Sequence, residues 1–442
     1  MLKNDFHITF IYREMLIEMR LELEDNGFSS KKIDTEEEFF SQLTKNTIAV
    51  LDGYHFDTYY QKKIKATGAK LVCIDDLHDK EFFADLIINH TPGITPRDYQ
   101  AQPYTQLALG LDFVLLRPLF LKQAINQRIV EKIETIMICF GGSDFKNLTH
   151  RILQVVTEFS QFRKIIVVTG AAYKTTESIK QLLSSDLRIE HRHAQNEKQM
   201  LNSMLESDLA IVPARGILFE ALASGCRLIS GIYADNQKFV FTNFVLNNLI
   251  FNASDFNSID TKIAIENALV SKYQSKSEID GISSRRLKSC FYELISIIRE
   301  ATLNDCKLLF TWANDREVRK KSISKDQILW DNHVKWFNEK IISAKSKIFI
   351  LEIEGNPVGQ IRYDLKDCEW VIDYSISAEM RGKGLGKILV KLSLPYFEGQ
   401  IIKALVIEDN IPSHNVFRTL GFYQTGTVKI NSELYTEFKK TN

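Results

Sequence analysis

Short apolar runs alternate with amphipathic stretches through the first 290 residues, and this alternation constrains the fold more than any other feature. The apolar runs are typical of buried strands, and helical patterns separate them. They cover residues 7–12, 47–54, 70–76 and 84–89, and then residues 133–140, 164–170, 209–213 and 227–233. Strand–helix alternation builds parallel sheets flanked by helices. We therefore predict an α/β fold with two doubly wound, Rossmann-like domains, at residues 1–120 and 121–295.

The last third of the chain has a different order of elements. It contains all four tryptophans, Trp312, Trp330, Trp336 and Trp370. Two helical patterns come first, then a meander of three strands with a turn at residues 355–357. A glycine-rich loop, a helix, a strand, a second helix and a final strand pattern follow. We predict a separate α+β domain at residues 296–442.

Composition narrows the class of partner. Lys+Arg and Asp+Glu both number 56, so the formal net charge is zero, whereas a nucleic-acid-binding surface is usually basic. No apolar run reaches the ~18 residues of a membrane span, and the first residues do not form a signal peptide. The six cysteines include no CxxC pair, a spacing that suits neither zinc nor disulfides. We expect a cytoplasmic protein with no metal, no nucleic-acid partner and no membrane partner.

A glycine-rich loop between a predicted strand and a predicted helix is the first candidate site. Glycines let an anion approach the backbone N–H groups at a helix start, and the two basic side chains add positive charge. The loop therefore predicts a pyrophosphate site. It consists of Arg381, Gly382, Lys383, Gly384, Leu385 and Gly386.

A second motif follows the next strand, and it comprises Asn410, Ser413, Asn415, Phe417, Gly421 and Phe422. Together the two motifs resemble the GNAT family of N-acetyltransferases over residues 296–442. The resemblance implies that acetyl-CoA is the cosubstrate. It also implies that the glycine-rich loop binds acetyl-CoA together with Asn410, Ser413 and Asn415.

The proton transfers of such a reaction remain open in the sequence. Phe417 stands where many family members have the tyrosine that protonates the leaving thiolate, and a phenyl ring donates no proton. Either the thiolate leaves without a dedicated acid, or another donor such as Tyr423 serves. The candidates for the base are Asp373, Glu408 and His333.

Residues 309–319, together with residues 333–337, resemble the subgroup that acetylates amino sugars on nucleotides, which includes the pseudaminic-acid pathway enzyme (PseH type). This resemblance implies that Trp312, Asn314, Arg319 and His333 contact the amino sugar. Trp312 and Trp336 are equally consistent with the packed face of a helix, and both interpretations stay open.

Two further strand–loop–helix arrangements lie in the front half. The first contains Gly141, Gly142, Ser143, Asp144 and Asn147, and the second contains Gly216, Ile217 and Glu220. Together they resemble the nucleotide-sugar half of the MurG-like GT-B fold. The closer resemblance is to the UDP-sugar hydrolases of pseudaminic-acid synthesis (PseG type), and it also covers residues 50–54, 73–76, 86–89 and 233–237.

That resemblance implies that the first arrangement and Glu220 hold UDP, while Tyr54 and Asn236 face the sugar and the attacked linkage. Packing in a cleft between domains is an alternative for Tyr54. The family begins with a strand and a G-x-G-H loop whose histidine is the base for water, and no G-x-G-H occurs in these 442 residues. We therefore expect this segment to be missing, through either a mis-assigned start codon or a real loss.

The combined prediction is a bifunctional nucleotide-sugar enzyme of pseudaminic (nonulosonic) acid biosynthesis. The rear domain would N-acetylate a UDP-linked 4-amino-sugar. The front half would then hydrolyse the UDP-diacetamido-trideoxy-sugar to free sugar and UDP. Two alternatives stay open for the front half, a nucleotide-sugar binding module without catalysis and a glycosyltransferase.

Overall fold

The computed structural model describes residues 2–126, 128–174, 177–271 and 278–442. It divides into two compact units, Met1–Leu287 and Lys288–Asn442. None of the helices in the described ranges combines the length and the apolar character that a membrane span requires. The α/β fold with an α+β domain at the end of the chain, which the sequence predicts, is confirmed.

The first part of the front unit is built around a small parallel sheet. In the described stretch 2–126 the strands of this sheet run in the order β3-β4-β6-β8. Leu51, Leu71 and Ile87 are buried on it, and Ile64 of helix α3 is buried in the same core. The elements are β1 (Thr9–Tyr12), α1 (Ile17–Asp25), β2 (Ser29–Lys32), α2 (Glu36–Phe40), β3 (Ile48–Asp52), α3 (Thr58–Ala66), β4 (Lys70–Ile74), β5 (Glu81–Phe82), β6 (Leu86–Asn89), β7 (Gln100–Ala101) and β8 (Gln106–Leu109).

Strand β1 confirms that residues 7–12 contain a strand, but the prediction that this strand is buried is wrong. It pairs in parallel with β2, from Thr9 opposite Ser29 to Tyr12 opposite Lys32. Within the described stretch 2–126, these two strands form a sheet of their own. No residue of β1, β2 or α1 is buried, so this segment adds little to the core.

The second part of the front unit is a larger parallel sheet, in the order β11-β10-β9-β12-β13-β14 over its described residues. Strand β9 shows why the fold is doubly wound: Ile136 and Ile138 pack into one core, while Met137 and Cys139 pack into the other. The elements are α4 (Pro118–Ala124), β9 (Thr135–Cys139), α5 (Leu148–Thr157), β10 (Lys164–Thr169), α6 (Glu177–Ser185), β11 (Ile189–His193), α7 (Glu197–Glu206), β12 (Leu209–Ile211), α8 (Gly216–Ala223), β13 (Arg227–Ser230), α9 (Lys238–Leu246), β14 (Phe251–Asn252) and α10 (Ser258–Val270). Helix α11 (Ser283–Leu294) contains the boundary between the two units.

The rear unit has a mixed sheet in the order β15-β16-β17-β18-β19-β21-β20. All neighbours are antiparallel except β18 and β19, which run parallel. Phe349 and Leu351 face one core, and Ile348 and Ile350 face a smaller one under two helices. The elements are β15 (Ser296–Glu300), α12 (Cys306–Ala313), α13 (Arg316–Lys321), α14 (Trp330–Ile341), β16 (Ser346–Ile353), β17 (Asn356–Lys366), β18 (Glu369–Ile376), α15 (Leu385–Ser393), β19 (Ile401–Ile407), α16 (Ile411–Thr419), β20 (Tyr423–Ile430) and β21 (Glu433–Thr441).

One carboxylate holds the start of β9 in the front unit. Asp208 accepts hydrogen bonds from the backbone N–H groups of Glu134 and Thr135, both at 2.9 Å, and it pairs with Arg128 at 2.6 Å. We expect Asp208→Asn to lower the free energy of unfolding by about 2 to 3 kcal/mol, because charged hydrogen bonds are lost. Glu158→Gln, which breaks an exposed pair with Lys262, should cost under about 1 kcal/mol. Hydrogen exchange of β9 in urea measures both, and equal effects would contradict this role.

Candidate functional site

The carboxyl ends of β18 and β19 separate in the rear unit. Their parallel pairing begins at Trp370 and Ile402 and ends at Ile372 and Ala404, although both strands continue. Each strand stays paired with its outer neighbour, so the gap opens only between them. We call this opening, between residues 373–376 and 405–407, the strand cleft. Its backbone edges are available to an extended ligand that carries amide groups.

The glycine-rich loop lies at this end of the sheet and opens helix α15. Gly382 and Gly384 have φ values of 79° and 82°, which other residues rarely adopt. Gly384 is the N-cap and provides no side-chain cap for the helix. In the fully described stretch 278–442, the N–H groups of Gly384, Leu385 and Gly386 donate to no protein acceptor. The loop therefore presents the unpaired N–H groups that suit a phosphate.

The two basic residues of the loop already contact the protein. Arg381 donates to the carbonyl of Ile376 at 3.1 Å and to Asp315 at 2.6 Å. The Lys383 ammonium lies 5.5 Å from the ring centre of Tyr292. Arg381 thus fixes the loop to strand β18 and to the start of α13, and the backbone is the main anion-binding element.

Tyr374 connects the glycine-rich loop with the second motif, and the sequence did not single it out. Its hydroxyl is 2.8 Å from the Ser413 hydroxyl, and its ring lies 6.0 Å from that of Phe417. A Cβ at Gly386 would lie 3.0 Å from the Tyr374 ring, so a larger residue would require the ring to move by a few tenths of an ångström. Burial raises the pKa of Tyr374 to about 12. Tyr374 is therefore a neutral O–H group beside the strand cleft.

The other expected members of the second motif lie around it. Asn410 caps α16 through Ser413, and Asn415 is exposed on the same helix. Phe417 is 2% exposed in the core, whereas Tyr423 is 56% exposed on β20.

The base candidates Asp373 and Glu408 flank the strand cleft. Asp373 follows Ile372 on β18 and is 3.6 Å from Arg362, and Glu408 is an exposed residue directly after β19. Burial lowers the pKa of Arg319, while the nearby charge of Asp373 opposes this effect. Arg319 also bonds Ser322 and the Ser324 carbonyl, and its Nε is buried without a partner among the described residues. Both carboxylates therefore lie at the exposed edges of the strand cleft.

Two of the expected sugar contacts have structural partners instead. His333 is 2% exposed, and its ring bonds the Cys306 carbonyl at 3.0 Å. Burial lowers the pKa of His333, so the ring is neutral. Asn314 closes a loop by bonding both the N–H and the carbonyl of Ile328. These bonds hold both side chains within the fold, and Trp312 packs partly buried in the smaller core.

The front unit has its own strand-end site, at the point where the strand order reverses. From β9 the chain forms β10 and β11 on one side of this strand. It then returns to the other side of β9, where it forms β12, β13 and β14. A crevice at the carboxyl ends of the strands forms at such a switch point. The loop 141–147 follows β9 and the loop 212–216 follows β12. We call the space between these two loops the switch crevice.

The two helices at the switch crevice differ in how their first N–H groups are used. Asp144 accepts from the N–H groups of Leu148 and Thr149 at 2.9 and 2.7 Å, so α5 is already capped. Helix α8 has no side-chain cap, and the N–H groups of Gly216 and Ile217 donate to no acceptor in the described residues. The start of α8 therefore presents unpaired N–H groups that suit an anion, whereas the carboxylate of Asp144 is engaged by the N–H groups of α5.

The remaining loop residues shape the crevice. A Cβ at Gly141, Gly142 or Gly216 would meet no atom within 4 Å, so their surfaces face open space. Ser143 is exposed, and Asn147 begins α5 with a φ of 53°. The backbone of the first loop therefore leaves room for a ligand.

Positive charge surrounds the start of α8. The Arg215 guanidinium lies 5.3 Å from the ring centre of Tyr233, and Lys146 donates to the Tyr233 carbonyl at 2.6 Å. Neither cation was among the residues expected from the sequence. Glu220 binds Arg117 through two hydrogen bonds of 2.8 and 2.9 Å, so its carboxylate is oriented before any ligand arrives.

A cavity of about 360 Å³ opens at the carboxyl ends of β3, β4 and β6. Tyr54 lines it and donates to Asp76 at 2.9 Å, and Asn236 donates to the Tyr54 hydroxyl at 3.4 Å. The two residues that the sequence assigns to the sugar therefore meet, although 182 positions separate them.

A larger hollow, of about 550 Å³, lies beside the start of α3 and includes neither residue. No cluster of His, Cys, Asp and Glu among the described residues could hold a metal ion.

Comparisons with known proteins agree with this division. Residues 309–422 match the model of the acetyltransferase (GNAT) family, so the rear unit carries an N-acetyltransferase domain. An uncharacterized protein of Methanocaldococcus jannaschii is 22% identical over 437 residues, which cover 93% of this chain and 89% of the relative. A spermidine N-acetyltransferase from Vibrio cholerae, solved with CoA and spermine, is 17% identical over 33% of this chain and 95% of its own, with a TM-score of 0.31.

The front half has relatives of another kind. The UDP-2,4-diacetamido-2,4,6-trideoxy-beta-L-altropyranose hydrolase of Campylobacter jejuni is 27% identical over 199 residues. These residues cover 44% of this chain and 69% of the relative. The resemblance of the N-terminal half to hydrolases of the PseG type is confirmed at the level of homology.

Proposed function

We propose that this chain N-acetylates a UDP-linked 4-amino-sugar with acetyl-CoA in its rear unit, and hydrolyses the resulting UDP-diacetamido-trideoxy-sugar in its front unit. The observation that carries the first activity is the strand cleft beside the unpaired N–H groups of α15, within a matched acetyltransferase domain. The switch crevice and the hydrolase relative support the second activity.

In the rear unit, the N–H groups at the start of α15 bind the coenzyme pyrophosphate. The pantetheine arm then extends into the strand cleft, where its amides meet the open edges of β18 and β19. The acceptor amine attacks the thioester carbonyl, and its proton passes to Asp373 or Glu408, directly or through water. Arg319, held above Asp373, is the candidate contact for the sugar nucleotide.

The leaving thiolate needs a proton, and Tyr374 supplies it in this proposal. Its phenol is protonated at neutral pH because burial raises its pKa to about 12. The Ser413 hydroxyl, 2.8 Å away, can return a proton to Tyr374 after the transfer. This assignment replaces Tyr423, whose side chain is exposed on β20.

In the front unit, the diphosphate of UDP meets the N–H groups of Gly216 and Ile217 and the charge of Arg215. Glu220, held by Arg117, accepts from the ribose hydroxyls. The sugar then extends toward Tyr54 and Asn236, and water attacks its anomeric carbon. A sugar acceptor is not required for this reaction, so release of UDP and free sugar distinguishes it from glycosyl transfer and from binding alone.

The first test asks whether a negative charge in the glycine-rich loop weakens CoA binding more than a neutral side chain of the same shape. Asn and Asp tolerate the left-handed backbone of Gly382 about equally, and a Cβ there meets no atom within 4 Å. We expect Gly382→Asp to weaken CoA binding about tenfold more than Gly382→Asn, since only the carboxylate repels the pyrophosphate. Calorimetry with CoA measures both, and equal affinities for the two variants would place the pyrophosphate elsewhere.

The second test concerns the proton donor. We expect Tyr374→Phe to lower the rate of acetyl transfer to the UDP-amino-sugar by about 10²-fold, since general acid catalysis typically contributes that much. The affinity for acetyl-CoA should not change. Tyr423→Phe is the matched control and should retain the wild-type rate. The pKa of the bound CoA thiol, followed by its ultraviolet absorbance, should rise in Tyr374→Phe. An unchanged rate and thiol pKa would remove Tyr374 from the mechanism.

The third test concerns the switch crevice. We expect Arg215→Ala to weaken UDP binding about tenfold and to leave uridine binding unchanged, because only UDP carries the diphosphate. Arg163→Ala, at the opposite end of the sheet directly before β10, is the control. UDP at about 100 times its dissociation constant should stabilise the wild-type front unit by about 2.7 kcal/mol. Absence of any UDP binding to the wild-type chain would overturn the nucleotide site.

A further inference from the structure

The cavity at the ends of β3, β4 and β6 contains three carboxylates with different surroundings. Asp75 accepts from the N–H of His78 at 2.8 Å and from the Tyr99 hydroxyl at 2.9 Å, so it holds a turn. Asp52 is an exposed residue at the end of β3. Asp76 lines the cavity and accepts from Tyr54, the residue that Asn236 also contacts.

His90 also lines this cavity, but its hydrogen bonding excludes it as a base. Its Nδ1 accepts from the N–H of Leu115 at 3.1 Å, so its Nε2 carries the proton of the neutral ring. Burial lowers the pKa of His90 to about 4, which keeps the ring neutral. His90 can donate a hydrogen bond to a substrate, yet it has no lone pair left for a proton from water.

We infer that Asp76 is the general base of the front unit, and that it activates the water that attacks the sugar bound beside Tyr54 and Asn236. This inference rests on the proposed hydrolysis. The water oxygen forms a bond to the anomeric carbon while the bond from that carbon to the diphosphate oxygen breaks. The water proton moves to Asp76, and the electron pair of the broken bond leaves on UDP. Asp76 then releases its proton to solvent.

The electrostatics of the cavity favour this role. Burial raises the pKa of Asp76, and the nearby charges of Asp75 and Asp52 act in the same direction, while the hydrogen bond from Tyr54 opposes them. A carboxylate whose pKa moves toward neutrality is a better base near pH 7. The other charged groups near this cavity are Lys80, which lines it, and Arg215, whose charge acts on Tyr54.

The position of Arg215 in the switch crevice agrees with the place where UDP would leave the sugar. Its charge lowers the pKa of Tyr54, whereas burial, the larger effect, raises it, so Arg215 and Tyr54 are close in space. A diphosphate at α8 therefore places the bond to the sugar near Tyr54. Asp76 bonds the Tyr54 hydroxyl at 2.9 Å, so the proposed base lies in the same cavity as the residue that the sugar reaches.

The test compares Asp76→Asn with Asp25→Asn in the full chain, with the UDP-diacetamido-sugar as substrate. We expect Asp76→Asn to lower the rate of UDP release by about 10² to 10⁴-fold, with an unchanged dissociation constant for UDP. Asp25 is an exposed residue at the end of α1, so Asp25→Asn should keep a rate near that of the wild type. Azide attacks carbon without losing a proton, so it should restore UDP release by Asp76→Ala and yield the glycosyl azide.

The outcomes separate the role of Asp76 from the activity itself. UDP release by Asp76→Asn at the wild-type rate would overturn the role of Asp76 and leave the hydrolase intact. A slow Asp76→Ala that azide does not accelerate would show a structural residue and would also overturn it. A wild-type chain that binds UDP but releases none from the sugar nucleotide would overturn the hydrolysis and the inference together.

Discussion

Unsatisfied backbone N–H groups at the first turn of a helix are the interaction on which both sites depend. A helix start leaves such groups without intrahelical partners, and something must satisfy them. Helix α5 satisfies them internally through the carboxylate of Asp144. Helices α8 and α15 have no side-chain cap, and each begins where a strand ends. The first N–H groups of α5 therefore have a partner within the protein, whereas those of α8 and α15 can donate to a phosphate.

The strand order of each sheet determines where the starts of α8 and α15 lie. In the front unit the reversal of strand order beside β9 brings two loops together at one edge. In the rear unit the parallel pair β18–β19 loses its pairing after Ile372 and Ala404, which opens a gap beside α15. A parallel pair inside an otherwise antiparallel sheet is required for this, because both strands must reach the same edge with their carboxyl ends.

Periodicity and glycine position were enough to predict the order of elements in the rear unit and the glycine-rich loop before α15, because both depend on local sequence. Side-chain partners were not predictable in this way. An aspartate after two glycines is equally consistent with a cap and with a ligand, and only the contacts of Asp144 decide between them. His333 and Asn314 bond to backbone 27 and 14 positions away, and the local sequence pattern predicts neither contact. Tyr374 gained significance only because Ser413 of α16 and Gly386 of α15 both contact it.

Two adjacent carboxylates at the end of β4 differ in their hydrogen-bond partners, and this difference suits one to a structural role and the other to a catalytic role. Asp75 and Asp76 follow the same strand, yet Asp75 receives a backbone N–H and a buried tyrosine hydroxyl that hold it in one geometry. Asp76 accepts a hydrogen bond from the hydroxyl of Tyr54, which lines the cavity, and Asn236 donates to the same hydroxyl. A carboxylate that is bound to the fold stabilises its turn best when it stays charged. A carboxylate whose partner lies in the cavity can change its protonation state during a reaction without loosening the strand end.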